Sequence, residues 1–208
     1  MLTLSSFETR TFVEAGVDPE KIVQIPPGVD VQLFRPAPRA EDGVYRILFV
    51  GQLTQRKGLS YLFDGFERAG LPQAEILLVG QRLGPLPPRE RVRVTRAVAQ
   101  SRLPPIYATA DVFVMPSIVE GSCLTALEAM ACGLPVIVSE HTGTNDLIKD
   151  GREGFVVPIR DPDAIAERLR VLHADPDRRR DMGRAARARA EQYTWRRYGD
   201  RVTEALAA

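Results

Sequence analysis

Six short runs of aliphatic and β-branched residues punctuate the chain: IVQI at 22–25, YRILFVG at 45–51, AEILLVG at 74–80, VFVMPS at 112–117, PVIVS at 135–139 and GFVVP at 154–158. Their length and branching predict buried strands. Between them lie segments with helical spacing, LSYLFDGFERAG, LTALEAMACG and AIAERLRVLHAD, several closed by the glycine that ends helices. Strand and helix alternate, which predicts an α/β fold: a doubly wound parallel sheet, Rossmann-like, with helices on both faces. Such sheets bind ligands beyond the carboxyl ends of their strands, and FVGQLTQRKG, LLVGQRLG and VMPSIVEGS all fall there.

The ends of the chain follow other patterns. Residues 1–16 read as a helix or turn, and PPGVDVQLFRPAPRAEDG at 26–43 as a Pro-rich extended connector. From about 161 the chain is helical: DPDAIAERL opens with an Asp cap and a first-turn Pro, and DPDRRRDMGRAARARAEQY repeats the device.

Composition narrows the class. With 208 residues, 44% hydrophobic and 26% charged, the chain can bury one sizeable core, so one domain is the default. Lys+Arg 28 against Asp+Glu 27 leaves a net charge of +1, no footprint for nucleic acid. From 175 onward nine arginines face six acids, but acids and alanines interrupt them, as on a solvated helix. No apolar run approaches the roughly 20 residues of a membrane span, and MLTLSSFETR lacks the pattern of a secretion signal. A soluble, cytoplasmic protein is expected. Cys123 and Cys132 lie too far apart along one predicted helix to pair, roughly 13 Å of axis, and His141 and His173 show no metal-ligand spacing. No metal site is expected.

The candidate chemistry lies in VEGSCLTALEAMACGLPV, where Glu120 and Glu128 flank a Gly-Ser-Cys that precedes an almost wholly apolar run. Ser122 is the expected N-cap, with the helix starting at about Gly121 to Cys123. Ser122 and Glu128 are then separated by roughly 9 Å of helix axis. The amides of Ser122, Cys123 and Leu124 would point outward at the positive end of the dipole, a ready anion site. Two carboxylates that grip vicinal hydroxyls on either side of an anion site match a nucleotide sugar. Spacing alone equally admits a surface loop residue and a salt-bridged helix residue. The second feature is FVGQLTQRKG, in which Arg56 and Lys57 follow a strand and its glycine. Cations there can neutralise a diphosphate, although a lone loop lysine is commonly solvated surface. The glycine spacing is not that of a GxxxxGK[ST] phosphate loop.

Taken in order, GQLTQRKG, ATADVFVMPSIVEGSCLTALEAMACGLPVIVS and DGREGFVVP resemble the nucleotide-sugar half of the retaining glycosyltransferase family 4, or group 1, which has the GT-B fold. The resemblance covers nearly the whole chain, and its most specific part is the Glu-x7-Glu spacing ahead of an AMAxGxPVI run. It implies retaining transfer of a sugar from a nucleoside diphosphate to a hydroxyl acceptor, a lipid or glycan among the candidates, with no cofactor and no required metal. By resemblance Glu120 contacts the transferred sugar, Glu128 the ribose hydroxyls and Lys57 the diphosphate. The resemblance also implies that the loop Gly51, Gln52 and Arg56 and the segment Gly121, Ser122, Cys123 and Leu124 bind phosphate and sugar, and that Val98 lies near the base.

The chain departs from the family pattern in places. Gln52 stands where an arginine is usual, Gly121-Ser122-Cys123 replaces Gly-Phe-Gly, and Arg96 occupies the place of a glycine. The resemblance divides the chain into 1–36, the end of an acceptor-binding domain and its linker, 37–193, the nucleotide-sugar domain, and 194–208, a helix that crosses back toward the missing partner domain. Donor binding with little transfer is then expected of this chain alone, and membrane association is compatible with the full enzyme. Two rival readings are a non-catalytic nucleotide or sugar binding module, kept open by Gln52, and a flavodoxin-like signalling domain, disfavoured because no acidic phosphoacceptor ends a strand.

Overall fold

The computed structural model describes residues 1–39, 42–86 and 88–207; positions 40 and 41 of the expected connector, position 87, and position 208 of the expected last helix lie outside the described residues. The strands are β1 (Leu2–Thr3), β2 (Val23–Gln24), β3 (Tyr45–Val50), β4 (Ala74–Val79), β5 (Val92–Thr95), β6 (Val112–Met115), β7 (Val136–Ser139) and β8 (Gly154–Val157). The helices are α1 (Ser6–Glu14), α2 (Leu59–Ala69), α3 (Pro104–Tyr107), α4 (Leu124–Ala131), α5 (Pro162–Ala174), α6 (Pro176–Ala190) and α7 (Trp195–Ala207).

Strands β3 to β8 form one parallel sheet in the order β5-β4-β3-β6-β7-β8. Every residue of β3, β6 and β7 is buried, which explains runs without polar alternation. Strand order reverses at β3 and β6, so right-handed crossovers put α2 and α4 on opposite faces. Helix α2 packs on α5, and α4 on α6. The sheet is therefore doubly wound, as its alternation predicts. Asp161 and Asp175 cap α5 and α6, each side chain accepting from an amide three residues on, with proline in the first turn.

Two expectations change. IVQI contributes only the two-residue β2, which pairs with β1 in a separate small sheet and leaves Val23 exposed. The sixth strand of the main sheet is instead β5, in the Arg-rich stretch after Arg89. As an edge strand it is mostly exposed, so charge interrupts its apolar pattern. Within 26–36, Val29 and Phe34 are buried in the same core as the main sheet, and Arg187 donates to the Val31 and Phe34 carbonyls. No helix of the described residues is long and apolar enough to cross a membrane.

Candidate functional site

The switch point between β3 and β6 opens beyond their carboxyl ends, where the 51–58 loop and the 116–123 loop face one another. Two glycines permit the approach. Gly58 adopts φ +76°, and a Cβ there would lie 1.9 Å from the Pro116 carbonyl oxygen. A Cβ on Gly80 would lie 1.7 Å from the Gly51 oxygen, so the loop ends of β3 and β4 meet backbone to backbone. The Ile118 amide donates to the Arg56 carbonyl at 2.9 Å, and this tie fixes the single 3-10 turn Gln55–Lys57 against the segment leaving β6.

That tie brings three charges together. Lys57 Nζ pairs with Glu120 Oε2, and Arg56 Nη1 approaches the same oxygen at 3.4 Å and the Val119 carbonyl at 3.2 Å. The Lys57 and Glu120 side chains are 12% and 16% exposed, whereas Arg56 is 51% exposed and able to turn toward a ligand. Glu120 is held by its backbone: its amide donates to the His141 carbonyl and its carbonyl accepts from the Gly143 amide. Gly51 is half-buried and Gln52 exposed at the mouth of the same loop. Beside them the buried hydroxyls of Thr54 and Ser117 find no partner among the described residues.

The start of α4 differs from expectation. Cys123, not Ser122, is the N-cap, and no side chain caps the helix from that position. From another loop Thr144 Oγ1 accepts from the Cys123 amide at 3.2 Å and donates to the Cys123 carbonyl at 3.1 Å. The threonine thus fixes the N-cap residue's own backbone and does not cap the first-turn amides. One of the three expected anion-binding amides is thereby engaged inside the protein. The amides of Ser122 and Leu124 donate to no acceptor among the described residues. Ser5 Oγ donates to the Gly121 carbonyl at 2.6 Å, and the Glu8 carboxylate lies against Gly121, so the amino-terminal segment walls the loop.

Glu128 is placed apart from Glu120. It is 6% exposed, its Oε1 accepts from Gln100 Nε2 at 2.8 Å and its Oε2 from the Tyr107 hydroxyl at 2.9 Å. Burial raises its pKa above the usual glutamate range, partly offset by the Gln100 and Tyr107 hydrogen bonds. Cys123 lies between the groups: burial raises its thiol pKa, the Thr125 hydroxyl and Lys57 lower it, and Glu120 raises it. The same thiol also raises the Tyr107 phenol, whose shift is dominated by burial and then by Glu128. At the far end of α4, burial and then Glu128 push the Cys132 thiol up to about 12. Val98 is half-buried just past a cleft of about 550 Å³ lined by Gly80, Gln81, Arg82, Val94, Arg96 and Ala97.

The fold therefore gathers Lys57, Arg56 and Glu120 at one spot, and Glu128 with Gln100 at another on the Val98 side, with the α4 terminus between. Sequence reading missed Gln100, Tyr107 and Thr144, none of which carries a local signal. Each acts through a contact 21 or 28 residues away.

Residues 30–189 match the family model described as Glycosyl transferases group 1. A D-inositol 3-phosphate glycosyltransferase of Pseudarthrobacter chlorophenolicus is 34% identical over 205 residues, covering 88% of this chain and 49% of the relative. A GDP-mannose-dependent alpha-(1-6)-phosphatidylinositol monomannoside mannosyltransferase of Mycolicibacterium smegmatis is 32% identical over 236 residues, covering 100% of this chain and 62% of the relative. The chain thus spans 49% and 62% of the length of these two relatives. Among solved structures, Anabaena HepE in complex with UDP and glucose superposes with a TM-score of 0.86 at 20% identity, covering 99% of this chain and 62% of that one. Sucrose-phosphate synthase of Thermosynechococcus elongatus gives 0.84 at 27% identity, covering 99% and 57%. With a family model matched over most of its length and a GT-B-like sheet around the convergent charges, the chain belongs to the group 1 glycosyltransferases.

Proposed function

We propose that the chain is the donor-binding, C-terminal part of a retaining, family 4-type glycosyltransferase, and that it holds a nucleoside diphosphate sugar across the α4 terminus. The convergence of Lys57, Arg56 and Glu120 at the switch point carries this reading. It is supported by the GDP-mannose in the name of the M. smegmatis relative and by the UDP bound to HepE. In the unliganded protein Lys57 compensates Glu120. On binding, the diphosphate takes over Lys57 and Arg56 together with the Ser122 and Leu124 amides, and Glu120 turns its acceptor oxygens to sugar hydroxyls. Glu128, already positioned by Gln100 and Tyr107, faces the ribose, and the base lies in the cleft beside Val98.

In the transfer itself the bond from the anomeric carbon to the diphosphate breaks and its electron pair goes to the leaving oxygen. Lys57 and the amides stabilise that oxygen without a required divalent cation. The acceptor oxygen bonds to the anomeric carbon from the face the diphosphate leaves, and its proton passes to an oxygen of the departing diphosphate. The reading assigns the acceptor, a lipid or glycan hydroxyl, to residues outside this sequence, so this cytoplasmic chain alone binds nucleotide with little transfer. The exposed Gln52, in the place of a usual arginine, favours as second reading a binding module without catalysis.

Titration calorimetry with UDP, GDP and ADP tests the proposal: one of the three should bind, and Glu128→Ala should weaken it. Indifference to all three refutes both readings. Joining the chain to the amino-terminal half of the M. smegmatis relative should restore transfer from a diphosphate sugar of whichever nucleotide binds if the catalytic reading holds, whereas binding without any transfer selects the second.

A further inference from the structure

Of the two amides left open at the start of α4, one has no helix to aim it. The Leu124 amide shares a peptide plane with the Cys123 carbonyl, which accepts from the Ala126 amide at 3.1 Å as well as from Thr144, so the first turn of α4 sets its direction. Ser122 precedes the helix. Its amide shares a plane with the Gly121 carbonyl, and across a trans peptide the N–H points opposite to the C=O. Whatever holds the Gly121 carbonyl therefore aims the Ser122 amide.

That carbonyl is held from 116 residues away. Ser5 Oγ donates to it at 2.6 Å and is its one donor among the described residues. Ser5 is wholly buried, and the same oxygen caps α1 by accepting from the Glu8 amide at 3.1 Å. A hydroxyl can serve both partners because it carries one hydrogen and two lone pairs. Gly143 closes the contact: a Cβ there would lie 1.9 Å from the Gly121 oxygen and 2.5 Å from the Ser5 Cβ. The first turn of α1 is fastened to the loop after β7 at two more points. Asp146 accepts from the Ser6 amide and hydroxyl, both at 2.6 Å, and from Gln24 Nε2 at 3.1 Å. The Phe7 ring stacks on His141 with centroids 5.0 Å apart, and the His141 carbonyl and Gly143 amide are the groups that hold Glu120. The 116–123 loop is thus braced on one side by the loop after β7 and on the other by α1, and Ser5 joins the two braces.

We propose that Ser5 is a positioning residue for donor binding: its hydroxyl turns the Gly121–Ser122 peptide so that the Ser122 amide faces the diphosphate. This role rests on the donor reading above and extends it, because it makes the docked amino-terminal segment a working part of the nucleotide site. Calorimetry on the full chain tests it with UDP, GDP and ADP and with the matching nucleosides. Ser5→Ala removes the tie to Gly121 and the cap of α1 together, whereas Ser5→Gly removes the same tie and leaves a residue that N-caps tolerate well. Both variants should weaken the preferred diphosphate by about threefold to tenfold, with affinity for its nucleoside held within about twofold. Thermal unfolding midpoints check that each variant is folded. If the unsubstituted chain binds none of the three diphosphates, the donor reading fails and the role of Ser5 falls with it. If it binds one, three results overturn the role of Ser5 alone: diphosphate affinity unchanged in both variants, equal losses for diphosphate and nucleoside, or affinity regained in Ser5→Gly, which would trace the loss to the cap of α1.

Discussion

Replacing Lys57 by alanine is the sharpest test of the donor site, because the lysine has two partners competing for it. In the free protein its ammonium is largely shielded and paired with Glu120, with Arg56 as a second, half-exposed cation at 3.4 Å. At an effective dielectric near 20, opposite charges about 4 Å apart attract by about 4 kcal/mol before desolvation is subtracted. The net value of a charge-assisted hydrogen bond is about 1.5 to 3 kcal/mol. The diphosphate must draw Lys57 from Glu120, so only the difference between two such contacts reaches the measured affinity, and Arg56 recovers part of it. Lys57→Ala should therefore weaken the preferred nucleoside diphosphate by about threefold to tenfold, while affinity for the bare nucleoside stays within about twofold. Glu120→Gln supplies the opposite sign: it releases Lys57, so the nucleoside diphosphate should bind as tightly as before or severalfold tighter, while the sugar contribution to donor affinity is lost. Calorimetry on the two variants, with nucleoside, diphosphate and diphosphate sugar, reads all of these. Equal losses for nucleoside and diphosphate on Lys57→Ala, or a weakened diphosphate on Glu120→Gln, would refute the shared-lysine account.

Three further outcomes are expected. Burial places the folded-state pKa of Glu128 above its unfolded value, so its contribution to stability is full at low pH and is lost as pH rises through the raised value. Glu128→Gln cannot ionise and should flatten the fall in urea midpoint as pH rises above the ordinary glutamate value of about 4.3; an unchanged slope removes burial as the dominant influence. Gly58→Ala places a methyl 1.9 Å from the Pro116 oxygen at φ +76° and should cost more than about 2 kcal/mol in chemical denaturation. A loss below about 0.5 kcal/mol would mean the two loops do not meet as described. If Lys57, Arg56 and the amides carry the diphosphate as proposed, chelation with EDTA should leave nucleotide affinity unchanged within about twofold; a larger loss would show that a divalent cation shares the load.

The alternation of strand and helix was legible because a parallel sheet covered on both faces needs strands that are mostly apolar, and β3, β6 and β7 are buried throughout with only Arg46 and Ser139 polar among them. The caps of α5 and α6 were legible for a local reason: Asp161 and Asp175 act on amides three residues away. β5 was not, because an edge strand half in solvent tolerates the arginines that break the pattern. IVQI misled in the other direction, as its branched residues suit any strand and say nothing about which sheet takes it.

At the candidate site, sequence order placed Lys57, Glu120 and Glu128 near strand ends and on a helix, because local spacing and the alternating topology determine that much. Which partners each acid takes was left to the tertiary structure. Glu120 meets Lys57 because Gly58 lets its loop touch Pro116, Glu128 turns to Gln100 and Tyr107 because α4 buries it, and Thr144 holds the backbone of Cys123, the N-cap in place of the expected Ser122. The physical reason is one of range. Helix and strand formation depend on neighbours a few residues away, whereas the pairing of a buried charge is settled by whichever distant side chain the packing brings within about 3 Å.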